Sequence, residues 1–380
     1  MDSENTVTAS KKIRFFPTKK QKTLFKLWLE CTRWTYNKTI EYLKSIPQGQ
    51  RRESWQEIRK NTIYPIIPDR FSCVPSLVKV DAVKEACQAY TAAKMRAKKT
   101  GQPFSMHWKS RKSRRQSSFI CHKSIKSGGI YSRYSGKVRF AELLPSNPRD
   151  SRLILENERW FLCVPYKKKT TLAENQGRIV SLDPGVRTFI TFYSEDSAGE
   201  LGKKASGHIH RLCAHLDDLI SRTSRAENRY QRRSMRKAQA RMRNRIHDLI
   251  TEMHHKCARF LLDNFDVILL PTFETSEMTS KTKRKIRSKT ARQMLTLRHY
   301  GFKQHLKQAA AQMGKTVLDV NEAYTSKTCS WSGEIIWKLG GRKIIRGSDG
   351  ISMSRDMNGA RGIYLRALVD SPALFECATT

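Results

Sequence analysis

The spacing of apolar positions changes several times along the chain, and each change predicts a different element. Val7 to Phe16 alternates as a strand does and stops at Pro17. From Lys20 to Ser45 the period turns helical, with Leu24, Leu27, Trp28, Cys31 and Trp34 on one stripe. Pro65 and Pro68 interrupt the chain. Val78 to Lys99 is helical again, carrying Val80, Val83, Ala86, Cys87 and Tyr90, and it ends before Gly101. Between Phe104 and Tyr166, short apolar runs at 117–121, 136–140 and 160–164 alternate with Gly, Ser and Pro. That texture predicts a small β-domain. Residues 167–176 read as a polar linker.

The second half begins with a buried-type strand, Ile179 to Asp183, turned by Pro184-Gly185 and returned by Thr188 to Tyr193. A long helical region spans about His208 to Asn264. Asp266 to Leu270 is an apolar strand running into Pro271. A basic helix covers Arg292 to Met313, a strand Thr316 to Glu322, and a last helix Arg355 to Leu368. Strand hairpin, helix, strand, helix, strand, helix is an α/β order. It is compatible with a ribonuclease H-like sheet, in which acids at strand ends and at one helix start meet at one edge.

Charge changes the picture. Lys and Arg number 73 against 34 acids in 380 residues, a formal charge of +39 spread along the chain. Such an excess predicts a nucleic-acid partner and salt-sensitive association. No apolar run approaches a membrane span, and the polar start, Met1 to Asn5, lacks a signal-peptide core. The nine cysteines are scattered with no C-x-x-C pair, which suits a reducing compartment.

Against this background three acids stand out: Asp183 at a strand tip, Glu322 at a strand end and Asp356 at a helix start. A groove that holds a polyanion has use for carboxylates where they bind the metal ions that cut it. Cleavage by two Mg²⁺ ions roughly 3.5–4 Å apart needs several carboxylates around the pair, and Mg²⁺ prefers hard oxygen ligands. Each acid also has an ordinary reading. Asp183 suits a turn before Pro-Gly, and Asp356 suits the free N–H groups of a helix start. Sequence spacing alone does not make them converge.

The motifs around these acids resemble those of the TnpB and Fanzor proteins, RNA-guided transposon nucleases related to type V CRISPR effectors. Ser181-Leu-Asp-Pro-Gly-Val-Arg-Thr-Phe189 resembles their first nuclease motif, Tyr324-Thr-Ser-Lys-Thr-Cys329 the entry to their zinc-ribbon insertion, and Arg355-Asp-Met-Asn-Gly-Ala-Arg361 their third motif. Pro17 to Gln21 and Arg33 to Asn37 resemble the family's opening strand and helix, so the likeness spans nearly the whole chain. The resemblance implies a multidomain α/β and α+β protein. It would have a β-barrel-like WED domain (1–20 and 104–172), a helical REC domain (21–103) and a RuvC-like nuclease domain (173–322 and 353–380). A degenerate zinc-ribbon-like insertion would occupy 323–352. The implied activity is RNA-guided, Mg²⁺-dependent cleavage of double-stranded DNA beside a short target-adjacent motif, by a monomeric ribonucleoprotein of protein and guide RNA.

Two departures matter. In TnpB the second motif is a strand ending in Glu; here the strand runs into Pro271, and Glu274 lies three residues beyond. The Fanzor branch places a substitute just before Tyr-Thr-Ser, where Glu322 stands. Glu322 is therefore the expected third ligand and Glu274 the runner-up. The insertion keeps Cys329 but has Ser332 where its pair would be, and the second pair is missing near 346–349. Tetrahedral zinc needs four ligands. No zinc is expected in this insertion, nor in stoichiometric amount in the protein. Trp331, Ile335, Ile336 and Trp337 are expected to hold the loop instead.

The densest basic runs are 222–245 and 281–289, and Phe104 to Arg115 interleaves Phe104 and Trp108 with basic residues. Basic runs are often only solvated helix faces. Beside nuclease motifs they predict backbone contact to an RNA–DNA heteroduplex, with Trp108, Lys109, Arg111, Arg232, Arg233, Arg236, Arg241, Lys283, Arg284 and Lys285 as candidates. The 281–289 run is also a candidate nuclear import signal, so a nucleus is the expected compartment, with a bacterial or viral-host cytoplasm as the alternative. Competing functions are a non-cleaving RNA or DNA binder of the same fold and a transposase with a ribonuclease H-like core. The N-terminus shows no clear helix-turn-helix for the latter.

Overall fold

A Pro-Thr dipeptide organises the start of the chain. Pro17 closes the first strand, and the Thr18 side chain and Gln21 form a reciprocal capping box that opens a 27-residue helix. The structure is a computed structural model describing residues 6–47, 50, 52–126, 128–169, 177–272, 279, 286–337, 339–340 and 342–371. It divides into two compact units, Thr8–Lys168, and Lys169–Thr380 with Met1–Val7.

The first unit contains β1 (Thr6–Phe16), α1 (Lys19–Ser45), α2 (Ser76–Thr100), β2 (Arg115–Ile120), β3 (Arg139–Phe140), β4 (Ser151–Glu156) and β5 (Arg159–Lys169). The strands form one sheet in the order β2-β4-β5-β1-β3. The stripe of α1 (Phe25, Trp28, Leu29, Cys31) packs on Ile13, Phe15, Leu153, Trp160 and Leu162, so helix and sheet share one core. The expected β texture is present, but 104–114 contributes no strand. The polar linker is shorter than expected, since β5 runs to Lys169; residues 170–176 lie outside the described residues.

The second unit contains β6 (Ile179–Pro184), β7 (Ile190–Tyr193), β8 (Ala198–Leu201), α3 (Lys203–Arg225), α4 (Arg229–Asn264), β9 (Val267–Pro271), α5 (Ser288–Leu297), α6 (His299–Gln312), β10 (Thr316–Val320), β11 (Ile344–Arg346), β12 (Ser352–Ser354) and α7 (Arg355–Asp370). Its main sheet has the order β8-β7-β6-β9-β10. β6, β7 and β8 are antiparallel, whereas β9 runs parallel to both β6 and β10. Helices α3, α4, α5 and α6 cover one face around Val180, Leu182, Phe189, Leu261 and Phe302. α7 covers the other through Tyr364 and Ala367, against Ile179 and Leu269.

Several expectations are corrected. The long helical region is two helices, because Asn228 accepts from the backbone N–H groups of Tyr230 and Gln231 and starts α4 afresh. The 292–313 helix is also two, broken at Arg298, whose φ of +55° lies in the left-handed region. Edge strand β8, Ala-Gly-Glu-Leu, has no apolar run to announce it. Pro271 does not stop its strand: it pairs with Val320 on one side, and the ladder to β6 on the other side has already ended at Leu269–Ser181. β10 ends at Val320, so Glu322 lies past the strand rather than on it.

Candidate active site

The β6–β9 ladder ends at Leu269–Ser181, which leaves Asp183 beyond it at the carboxyl ends of three parallel strands, the end at which open α/β sheets bind their ligands. Asp183 stands at this end of the central strand, opposite Thr191 of β7. The following turn is tight. The Gly185 N–H donates to the Phe189 carbonyl at 3.1 Å, and a Cβ on Gly185 would lie 2.7 Å from the Thr188 carbonyl oxygen.

Helix α7 brings Asp356 to the same place through three residues of its own motif. The Ser181 hydroxyl donates to the Ala360 carbonyl at 2.7 Å, pinning the helix to the central strand. Gly359 lies against the Asp183 carboxylate, since a Cβ there would come 2.6 Å from Oδ2. Asn358 is fully buried and works as a bracket. Its Nδ2 donates to the carbonyls of Thr325 and Thr328 at 3.3 and 2.8 Å, and its Oδ1 accepts from the Ser330 N–H at 2.9 Å. The segment carrying Glu322 is thereby fastened to the helix carrying Asp356. Locally, the Thr325 hydroxyl donates to the Glu322 carbonyl at 2.9 Å, and Arg366 donates to the Ala323 carbonyl at 2.7 Å.

Asp183 feels the other two acids. Burial raises the Asp183 carboxyl to about 8, the charges of Asp356 and Glu322 push the same way, and Arg355 opposes them. Burial also raises Glu322. They do not belong to a group of ligand atoms all within 4.8 Å of one another; among the described residues that description fits Cys121, His122 and Asp150. The sheet explains the spread. β9 lies between β6, which carries Asp183, and β10, past whose end Glu322 lies, and each strand step adds about 4.8 Å. Ligands about two strands apart suit a pair of ions better than one. Hard carboxylate oxygens fit Mg²⁺, and Asp183, whose carboxyl the charges of Asp356 and Glu322 help to raise, would hold it together with those two residues.

The other site candidates fare differently. Glu274, Lys283, Arg284 and Lys285 lie outside the described residues. Arg233, Arg236 and Arg241 are exposed on α4. Arg232 instead donates to the Ala226 carbonyl at the helix break. Lys109 pairs with Glu85 at 2.8 Å and sits 4.1 Å over the Tyr36 ring, so its charge is engaged within the protein. Trp108 is exposed, with the Lys44 ammonium over its ring, and Arg111 is exposed. Sequence reasoning missed Asn358 and Gly359 as structural determinants of the site; both stand in the motif, but only the packing gives them partners.

In the insertion, buried Cys329 packs with Leu339 and Ile345, against Trp331 and Ile336. Ser332, at the position of the absent second cysteine, hydrogen-bonds the thiol, while burial raises its pKa. Ile335 and Trp337 are exposed rather than holding the loop, with the Lys327 ammonium 5.8 Å over the Trp337 ring. No helix among the described residues is long and apolar enough to cross a membrane.

A family model described as "Cas12f1-like, TNB domain" matches residues 299–363, which include Glu322, the insertion and Asp356. One described as "Helix-turn-helix domain" matches residues 5–49. In this structure that segment is a strand followed by a single helix. The chain is 26% identical to "Putative transposase A625R" of Paramecium bursaria Chlorella virus 1, over 95% of this chain and 87% of that protein. It is 24% identical to "TnpB-like protein L79" of Acanthamoeba polyphaga mimivirus, over 93% and 72%. Its fold is similar to that of Cas12f1 in the complex of Cas12f1, sgRNA and target DNA, with a TM-score of 0.54 at 10% identity, covering 94% of this chain and 99% of that one.

Proposed function

We infer that the chain is an RNA-guided, divalent-metal-dependent DNA endonuclease of the Fanzor branch of the TnpB-like proteins. The observation that carries this reading is the meeting of Asp183, Glu322 and Asp356 at the carboxyl end of one mixed sheet. Three antiparallel strands followed by two parallel ones, β8-β7-β6-β9-β10, is the order of a ribonuclease H-like, RuvC-type core. The likeness to viral TnpB-like proteins, and to Cas12f1 in complex with sgRNA and target DNA, supports both the activity and the partners. The domain boundaries implied by the resemblance go with this reading, as does a monomeric ribonucleoprotein working in the nucleus.

Asp183, Glu322 and Asp356 would hold a pair of Mg²⁺ ions, whose chemistry would be to activate a water and stabilise a leaving oxygen. The chain's own contribution is placement. Gly359 and Ser181 hold the Asp183 and Asp356 backbones together, and Asn358 ties in the Glu322 segment. The exposed arginines of α4 suit phosphate contacts to a heteroduplex whose sequence is read by base pairing.

The test is plasmid cleavage by protein copurified with its RNA, with and without Mg²⁺. The expected result is Mg²⁺-dependent cutting that RNase treatment abolishes. Cutting that survives RNase treatment refutes guidance. A complex that binds RNA and DNA but never cuts identifies a non-cleaving binder.

A further inference from the structure

The antiparallel ladder between β2 and β4 ends at the pair Ile120–Ser151. The next residues out, Cys121 and Asp150, therefore face each other at the sheet end, where opposed Cβ atoms lie about 4.5–5.5 Å apart. His122 then opens a single 3₁₀ turn, 122–124, which is tied down on both sides. The Ser124 N–H donates to the Cys121 carbonyl at 2.9 Å, and the Tyr131 N–H donates to the Ser124 carbonyl at 2.8 Å. Asp150 Oδ1 accepts from the His122 backbone N–H at 3.0 Å and contacts His122 Nδ1 at 2.7 Å. A thiol, an imidazole and a carboxylate are thus held together, their potential ligand atoms all within 4.8 Å of one another.

We propose that Cys121, His122 and Asp150 form a zinc site at the edge of the first unit's sheet. The donor set decides the metal. Sulfur and imidazole nitrogen select a borderline ion over Mg²⁺ or Ca²⁺, and zinc takes all three donor types. Partial exposure of His122 and Asp150 leaves room for water as a fourth, tetrahedral ligand. Binding displaces the thiol proton to solvent and breaks the hydrogen bond from His122 Nδ1 to Asp150 Oδ1; the imidazole gives up its Nδ1 proton to solvent and carries its one remaining proton on Nε2, leaving Nδ1 for the metal. Asp150 keeps its backbone hydrogen bond through Oδ1 and ligates through the other oxygen. The ion would staple the 3₁₀ turn to the sheet end. This revises the expectation of a zinc-free chain, which rested on the incomplete ligand set around Cys329; the proposed site is in the other unit.

Cobalt is the probe. Full-length protein stripped with a chelator should bind one equivalent of Co²⁺ with a thiolate-to-cobalt charge-transfer band in the near ultraviolet, and Zn²⁺ should displace it. Cys121→Ser should abolish the band, whereas Cys329→Ser should leave it. Asp150→Asn keeps an oxygen for the His122 N–H and so keeps the turn. It should still weaken Co²⁺ affinity by more than the roughly 10–100-fold that losing an outer-shell partner costs. Zn²⁺ should raise the thermal midpoint of the unsubstituted protein but not of Cys121→Ser. Absence of a thiolate band, or a band that Cys121→Ser leaves intact, overturns the proposal.

Discussion

Replacing Gly359 by Ala should separate catalysis from stability. The new methyl would sit 2.6 Å from Asp183 Oδ2, where ordinary contact begins near 3.4 Å, so the carboxylate must retreat by about 0.8 Å or the helix must tilt away. Misplacing a reacting group by 1 Å costs on the order of 10²-fold in rate. The same substitution relieves the entropic cost of a helical glycine, a gain of about 0.5–1 kcal/mol. Local overpacking takes back roughly 1–3 kcal/mol. The expected variant therefore folds within about 2 kcal/mol of the starting protein, binds RNA and DNA, and cuts about 100-fold more slowly. Gly207→Ala is the control. It is also helical, with nothing within 4 Å of the added Cβ, and should stabilise slightly without changing cleavage. The assay is single-turnover cleavage at saturating Mg²⁺, beside thermal unfolding of both variants. If folded Gly359→Ala cuts as fast as Gly207→Ala, the close approach of α7 to Asp183 does not position the carboxylate.

Other outcomes follow from the same structure. Asp183→Ala, Glu322→Gln and Asp356→Ala should each lower cleavage by several orders of magnitude while binding persists. Glu274→Gln should be mild, and the reverse ranking of Glu322→Gln and Glu274→Gln in the cleavage assay would move the second motif back to Glu274. Asn358→Ala strands the buried Thr325 carbonyl and the part-buried Thr328 carbonyl and should destabilise the second unit by about 2–3 kcal/mol, read by chemical denaturation. Buried His254 and His299, stacked on either side of Phe189, have pKa values lowered from 6.5 to about 4, so the folded protein prefers them neutral. Their contribution is fully present above pH 6.5 and is lost as pH falls towards about 4, because the unfolded chain takes up the protons first. The expected slope is about 1.4 kcal/mol per pH unit for each histidine, checked by denaturation across that window. A fluorescent fusion should enter the nucleus and lose that localisation when the basic residues of 281–289 are neutralised.

Much of this was legible from local pattern. Short-range physics sets the strand before Pro17, the capped helix after it, the buried strand before Asp183 and the acid-led helix at Asp356. The periodicity, caps and turn residues that encode these elements lie within a few positions of each other. The three acids were singled out by their places at element ends and by the resemblance of the motifs around them. What pattern could not supply was convergence. That Asp183 meets Asp356 depends on Gly359 and Ser181 letting α7 pack against the central strand, residues far apart in sequence. That Glu322 joins them depends on its lying past the end of β10 and on buried Asn358, whose three partners all lie about 30 residues away. The helix breaks at Asn228 and Arg298 were hidden because a basic, amphipathic pattern continues across both, while one is made by the Asn228 cap and the other by the left-handed backbone of Arg298. The residues of the proposed zinc site were harder still. Cys121 and Asp150 are neighbours because of strand register, a tertiary pairing that no spacing along the chain encodes.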